Sequence, residues 1–300
     1  MSLLYFSVVL PAYNTPLDIL RRAIDSVLNQ TYPYFELIIV DDGSESSLEP
    51  IVREYADERI VFIQHPQNRG AGAAHNTGIR AAKYDWIAFI CHDDEWLPNK
   101  LEVCVPYIEK NYPQYKFFFH YPILISDEKY DDYLLHDPRY GTQNYYMNYI
   151  TGYDVANLVQ TSTIIVAKEC FINYGMYDET GATIDWDIYL LFSKYLDFYC
   201  IKEFLSNYYI TPIGISHKNT IMNNENAGNN AIKLFFKWRK EIKKNKKARN
   251  AWAIRINAIA KYLYDINEKK IALKLYWESI KLNPLWRGNY IDLIKNLFKL

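Results

Sequence analysis

The sequence predicts an α/β protein built on a mixed, mainly parallel central sheet, with a helical C-terminal extension. Two observations predict the sheet. Over the first hundred residues, short apolar runs alternate with segments of helical spacing, the pattern of strand–helix–strand units. Three of those runs end in polar clusters, at Pro11–Asn14, Asp41–Ser44 and Asp93–Glu95. Parallel strands share one rim, and ligands of such sheets bind just beyond it.

The elements follow in order. FSVVLPAYN, from Phe6, is a buried strand stopped by Pro11 and Asn14. Leu17, Leu20, Ala23, Ile24, Val27 and Leu28 then recur at helical spacing. FELIIVDDGS is a second strand, IVREYA a short helix, and RIVFIQH a third strand. GAGAAHNTGIRAAK opens on glycines and continues as a helix, and WIAFI is a fourth strand. One of the aspartates that follow is expected to cap a helix starting near Leu97. Beyond Lys116 the pattern loosens. FFFHYPILI and STIIVAKECF read as strands, and Ile184–Leu196 as a helix. Ile221–Asn230 has the composition of a linker, and everything after it is helical in pattern. The expected division is 1–220, with a nucleotide-binding part to about 115 and an acceptor-binding part over 116–220, followed by a basic helical region over 221–300.

Composition narrows the class. Half of the 300 residues are apolar and 16% are aromatic, which a disordered chain does not show. The 28 tyrosines read first as packing. Cys91, Cys104, Cys170 and Cys200 form no CxxC pair, so they read as reduced thiols rather than a disulfide frame or zinc site. The N-terminus lacks a basic leader, and no apolar run reaches the roughly 18 residues of a membrane span. A cytoplasmic location is expected. Charge is uneven: residues 231–300 carry 18 Lys+Arg against 5 Asp+Glu, a net of +13, and residues 1–230 carry 16 against 30, a net of −14.

The stretch CHDDEW places three carboxylates side by side at a strand end. Turn or cap geometry, a divalent cation and ribose hydroxyls each explain part of such a cluster. With three acids together, a metal and a nucleotide explain more than capping does. GAGAAH (Gly70–His75) approaches a dinucleotide fingerprint, but it lacks the last glycine and follows the third strand rather than the first.

VVLPAYN, LIIVDDGS, NRGAGAAHNTGI and WIAFICHDDEWLPNKLE occur in that order. Together they resemble the family 2 glycosyltransferases, inverting enzymes with the GT-A fold. The resemblance covers roughly residues 6–103 and continues more faintly through Gly175–Phe192. It implies that Pro11 and Tyr13 lie beside the nucleotide base, commonly uracil, and that Asp41 hydrogen-bonds it. Cys91–Asp94 matches the family's Asp-x-Asp-Asp, whose acids hold the ribose and a Mn²⁺ or Mg²⁺ ion. Asp93 and Asp94 remain, Cys91 replaces the first acid, and the metal ligand is left open between the two. His75 stands where the family carries an arginine. Asp185 matches the catalytic base, with Ile184 where an acid is usual and Asp187 as a competitor. His217 is the implied late loop histidine on metal or diphosphate.

The implied activity is transfer of a hexose from a nucleotide sugar, UDP-linked, to a glycan or lipid-linked acceptor of the cell envelope. A non-catalytic nucleotide-sugar-binding protein on the same fold is the alternative. The basic tail suits either peripheral contact with an anionic membrane at its inner face, or packing on the acidic body or in a homodimer. No nucleic-acid motif accompanies its charge.

Overall fold

The structure is a computed structural model and describes residues 3–125, 145–151, 159–180, 184–209 and 225–298. It divides into two compact units. The first comprises Met1–Tyr145 and Ala156–Thr211, and the second Tyr146–Val155 and Pro212–Leu300.

The first unit is a mixed sheet of eight strands covered by helices. Its strands are β1 (Phe6–Ala12), β2 (Phe35–Asp41), β3 (Ile60–Gln64), β4 (Trp86–Phe89), β5 (Glu95–Trp96), β6 (Phe117–Ile125), β7 (Ile165–Ala167) and β8 (Phe198–Tyr209). Their order across the sheet is β3-β2-β1-β4-β7-β6-β8-β5. Strands β1 to β4 pair in parallel, as does β6 with β8, while β7 runs antiparallel to β4 and β6. Both faces of β1 and β2 are buried, which is why they read as continuous apolar runs. Helices α1 (Leu17–Leu28), α2 (Glu49–Arg53), α3 (Ala71–Ala81) and α4 (Lys100–Asn111) follow the first strands. On α1 the predicted stripe is buried at Leu20, Ala23, Ile24 and Val27, while Leu17 stays exposed. Gly78 of α3 lies so close to β1 that a Cβ there would meet a Val9 methyl at 2.4 Å.

Several expectations change. No aspartate caps the helix after the acidic cluster. Glu95 and Trp96 pair with Asn207 and Ser206 as a short strand, and α4 begins only at Lys100. STIIVAKECF is not one strand: a 3-10 turn (Thr161–Thr163), the short β7 and the helix α6 (Glu169–Tyr174) share it. Strand β8 went unread because lysine and glutamate interrupt it at Lys202 and Glu203.

The second unit holds the end of α5 (Tyr145–Thr151) together with α8 (Glu225–Lys244), α9 (Lys246–Asp265), α10 (Lys269–Leu282) and α11 (Gly288–Phe298); α7 (Ile184–Ser193) belongs to the first. Helix α8 reaches into the segment read as a linker. Trp252, nearly wholly buried, donates from Nε1 to the Ile150 carbonyl at 2.8 Å. Ser279 Oγ donates to the Ala253 carbonyl at 2.6 Å, drawing α9 and α10 together. Trp238 is buried too, whereas Phe236, Ile254, Trp277 and Leu285 are exposed. No helix among the described residues is long and apolar enough to cross a membrane.

Candidate active site

The parallel register aligns Ala12 with Asp41 and Asp41 with Gln64, so the polar ends of β1, β2 and β3 lie on one rim. Pro11 is buried within β1, while Tyr13 just beyond it is 43% exposed. Asp41 is fully buried. Its Oδ1 accepts from the Ser44 amide (2.9 Å), and its Oδ2 from the Leu48 amide (3.1 Å) and Gln64 Nε2 (3.2 Å). Three of its roughly four acceptor positions are therefore spent on shaping the loop. The loop turns through Gly43 at φ +72°, where a Cβ would lie 2.3 Å from the Gln67 carbonyl carbon; only glycine fits.

Asp42 does a similar task for the next loop. It accepts from His65 Nδ1 (2.6 Å) and from the amides of Arg69 (3.0 Å) and Gly70 (2.8 Å), just ahead of α3. The sequence marked Asp42 only as part of the polar cluster at the end of the second strand.

The three acids after β4 have three different fates. Asp94 is fully buried. It accepts from the Ser162 hydroxyl and from the Tyr209 amide at 3.2 Å. Burial, with the Asp93 charge adding to it, pushes its carboxyl up to about 8. Glu95 accepts from Asn207 Nδ2 (2.7 Å) and the Tyr209 hydroxyl (2.9 Å), seating β5 on β8. Asp93 is half-buried, and its main-chain carbonyl accepts from Arg22 Nη2 at 2.6 Å; among the described residues no hydrogen bond to its carboxylate is found. The Arg22 guanidinium lies 3.7 Å from the centre of the Tyr209 ring. The ligand atoms of Cys91, Asp93 and Asp94 all lie within 4.8 Å of one another.

Ser162 organises this loop. Its Oγ accepts from the Cys91 amide (2.9 Å) and donates to Asp94, while its carbonyl accepts from Trp96 Nε1 (3.0 Å) and from Lys100 Nζ (2.7 Å). Lys100 is wholly buried and lies 3.6 Å above the Trp96 ring; burial drives its pKa far down. Nothing in QTSTII singled out Ser162.

The neighbouring Thr161 reaches Asp185 with its side chain and stands 3.1 Å from the Tyr189 hydroxyl. Asp185 sits in the first turn of α7. The residue is exposed, yet the surrounding protein removes enough water from its carboxyl to raise its pKa, against the opposing hydrogen bond from Thr161. Its charge is felt at His75, Cys91 and Tyr177. Asp187 points inward and is buried. His217 lies outside the described residues.

The turn Thr161–Thr163 thus ties two acidic features together, the Cys91–Asp94 loop and Asp185. The two carboxylates are oxygen donors of the kind a Mn²⁺ or Mg²⁺ ion takes, whereas burial and the neighbouring carboxylates hold the Cys91 thiol protonated and make it a poor ligand. A solvent-reaching carboxylate with a raised pKa is suited to taking a proton.

Comparison with known proteins bears on the family and the fold. Residues 7–165 match the model of Glycosyl transferase family 2. An uncharacterized glycosyltransferase of Rickettsia typhi is 29% identical over 201 residues, which is 66% of this chain and 62% of that protein. The chain therefore spans under two thirds of that relative's length. The Escherichia coli protein named UDP-Glc:alpha-D-GlcNAc-diphosphoundecaprenol beta-1,3-glucosyltransferase WfgD is 38% identical over 105 residues, 35% of this chain and 41% of that one. Among solved structures, S. aureus TarS 1-349 in complex with UDP-GlcNAc superposes with a TM-score of 0.60 at 14% identity, over 93% of this chain and 89% of that one. The mannosyltransferase PcManGT from Pyrobaculum calidifontis, in complex with GDP-Man and Mn2+, gives 0.57 at 14% identity, over 98% and 87%. These structures share the GT-A fold with the first unit, and over more than half its length the chain matches the family itself: it belongs to glycosyl transferase family 2.

Proposed function

We propose that the protein is an inverting glycosyltransferase that moves a sugar from a nucleoside diphosphate, UDP-linked, to a hydroxyl of a glycan or lipid-linked acceptor. The observation that carries this reading is the pairing, through one 3-10 turn, of a carboxylate–thiol loop with a separate solvent-reaching aspartate.

The roles follow from burial and partners. Asp93 is the side chain best placed to hold Mn²⁺ or Mg²⁺, because its carboxylate has no partner among the hydrogen bonds that shape the loop. Asp94 and Ser162 hold that loop in position, and Cys91 borders it. A divalent cation held there would offset the charge that builds on the departing diphosphate. Asp185 takes the proton from the acceptor hydroxyl as its oxygen attacks the anomeric carbon, and one such displacement inverts that centre. Asp187 is too buried to compete. Tyr13 is the exposed ring available to the base, while Asp41 shapes the loop beneath it. His217 remains a proposed helper on the metal or diphosphate.

The relatives bear on the acceptor. The name of the Escherichia coli protein specifies a diphosphoundecaprenol acceptor, and a lipid-linked acceptor would sit at a membrane. Residues 231–300 carry a net charge of +13. Lys240, Lys243, Lys244, Lys246 and Lys247 are exposed around the α8–α9 junction, and on α10 Ile271, Lys274, Trp277 and Lys281 share one exposed face. Lysines interleaved with exposed apolar side chains suit an anionic bilayer surface.

The test is a screen of nucleotide sugars with and without Mn²⁺, reading binding and release of the nucleoside diphosphate. Metal-dependent turnover that falls roughly 10²-fold in Asp185→Asn, with donor binding retained, supports the reading. Binding without turnover in the intact protein points instead to the non-catalytic alternative, which the replacements at Cys91 and Ile184 favour. Equal loss of binding and stability in Asp185→Asn removes the base.

A further inference from the structure

One buried group beside the site has no part in the roles above. His75 on α3 is 5% exposed. Its ring stacks on Tyr177, with centroids 4.7 Å apart and planes 28° from parallel, and flanks Phe89 at 5.6 Å. Its Nδ1 lies 2.8 Å from the Ala71 carbonyl oxygen. A carbonyl only accepts, so Nδ1 carries the proton and donates. Burial lowers the ring's pKa, with the Asp185 charge opposing. The neutral ring therefore has a bare lone pair on Nε2, and among the described residues Nε2 has no hydrogen-bond partner.

This orphan is not a general slackness of α3. The next residue, Asn76, is fully engaged. It donates to the Tyr177 carbonyl (2.9 Å) and to Glu179 (2.8 Å), and it accepts from the Tyr177 amide (3.0 Å). A helix so closely satisfied at one position leaves a buried acceptor bare at the adjacent one. Buried acceptors without partners are uncommon and call for a ligand or a water.

We propose that His75 Nε2 accepts a hydrogen bond from a hydroxyl of the donor's sugar, and so makes His75 a specificity-determining residue for the sugar rather than for the diphosphate. The proposal rests on the glycosyltransferase reading. The chemistry of the lone pair selects the partner. A neutral acceptor pairs with an O–H group, and diphosphate oxygens are acceptors that offer it nothing. An arginine at this position would present only donors and a permanent charge, which suit phosphate. His75 reverses that preference. The groups facing it agree: Asp185 is negative and repels a diphosphate, whereas it tolerates a sugar hydroxyl, and the faces of Tyr177 and Phe89 are apolar.

The test is calorimetric binding of UDP and of three UDP-sugars, carrying glucose, galactose and N-acetylglucosamine, to the intact chain with Mn²⁺. His75→Ala is expected to weaken the best-bound UDP-sugar by about 10-fold and to leave UDP unchanged. Gln places an acceptor near the position of Nε2, so His75→Gln is expected to recover part of the loss; it also serves if the alanine variant folds poorly. His75→Arg is expected to tighten UDP and to flatten the preference among the sugars. If His75→Ala weakens UDP and UDP-sugar alike, or neither, the assignment to the sugar is overturned. An unchanged donor affinity with a raised KM for acceptor would move the contact to the acceptor hydroxyl and equally overturn it. If the unaltered protein binds none of these nucleotides, the underlying glycosyltransferase reading fails first.

Discussion

Replacing Ser162 by alanine isolates one oxygen at the centre of the acidic loop. The Ser162 carbonyl, with its bonds from Trp96 and Lys100, survives the change, and almost no volume is lost. What disappears is one bond accepted from the Cys91 amide and one donated to Asp94. Each net hydrogen bond contributes about 1 kcal/mol, and a buried group left unsatisfied costs about 1–3 kcal/mol. Asp94 keeps the Tyr209 amide, so the Cys91 amide is the main orphan. The expected destabilisation is about 2–4 kcal/mol, read by urea unfolding. If the loop holds the metal ligand in place, Mn²⁺ affinity should also fall by about 10–100-fold, as losses of supporting contacts around metal sites do. A double-mutant cycle with Asp94→Asn should show coupling of roughly 1 kcal/mol or more. A stability loss under about 0.5 kcal/mol with unchanged Mn²⁺ binding would refute the hub.

Three other outcomes are expected. Asp93→Ala should abolish Mn²⁺ binding while changing stability by less than about 0.5 kcal/mol, since its side chain shapes nothing in the loop; a large loss of stability with metal binding intact would reverse the roles given to Asp93 and Asp94. His120 is buried with its pKa held well below the usual histidine value, chiefly by burial. The unfolded chain then binds the proton more readily, so this stability is whole above about pH 6.5 and is lost as pH falls further, at up to about 1.4 kcal/mol per pH unit. Asp94, raised to about 8, contributes with the opposite sign, and His75 and His92 with the same sign, in both the unaltered protein and His120→Gln, so the measurement is the difference between the two. Between pH 7.5 and 5.5, urea unfolding should show the unaltered protein losing stability relative to His120→Gln, and an unchanged difference would exclude His120 as a source. The protein should co-sediment with phosphatidylglycerol vesicles, not with phosphatidylcholine vesicles, and high salt should release it. Charge reversal at Lys243, Lys244, Lys246 and Lys247 should abolish the effect, and equal binding to both vesicle types would count against an electrostatic surface.

The early strands and their rim were legible because burial on both faces forces continuous apolar runs, and polar clusters then mark each strand end. The separate fates of Asp93, Asp94 and Glu95 were not legible. Three adjacent acids look alike in sequence, and what divides them arrives from Ser162 and Tyr209, 68 and 115 residues from Asp94. Ser162 itself was hidden inside what read as a strand, since a 3-10 turn of small β-branched and hydroxyl residues has the same local composition. His75 was visible as a departure from the family pattern, but its meaning needed the Ala71 carbonyl, which settles the tautomer, and the stack on Tyr177. On β8, the charged pair Lys202–Glu203 breaks the alternation that a half-buried strand would show.

The path of the chain between the two units has a consequence for how the molecule is made. It leaves the first unit after Tyr145, returns at Ala156, and leaves again after Thr211. Tyr149 and Ile150, on the short excursion, are buried, and Ile150 receives its hydrogen bond from Trp252, 102 residues later. During synthesis this helix end emerges long before its cover exists, and its apolar side chains wait in water until α9 has been made. Removing the chain beyond residue 220 would leave it without that cover. The C-terminal helices therefore do not form a detachable cassette. Exchanging them between relatives would require carrying 146–155 along, and the two segments should drift together as sequences diverge.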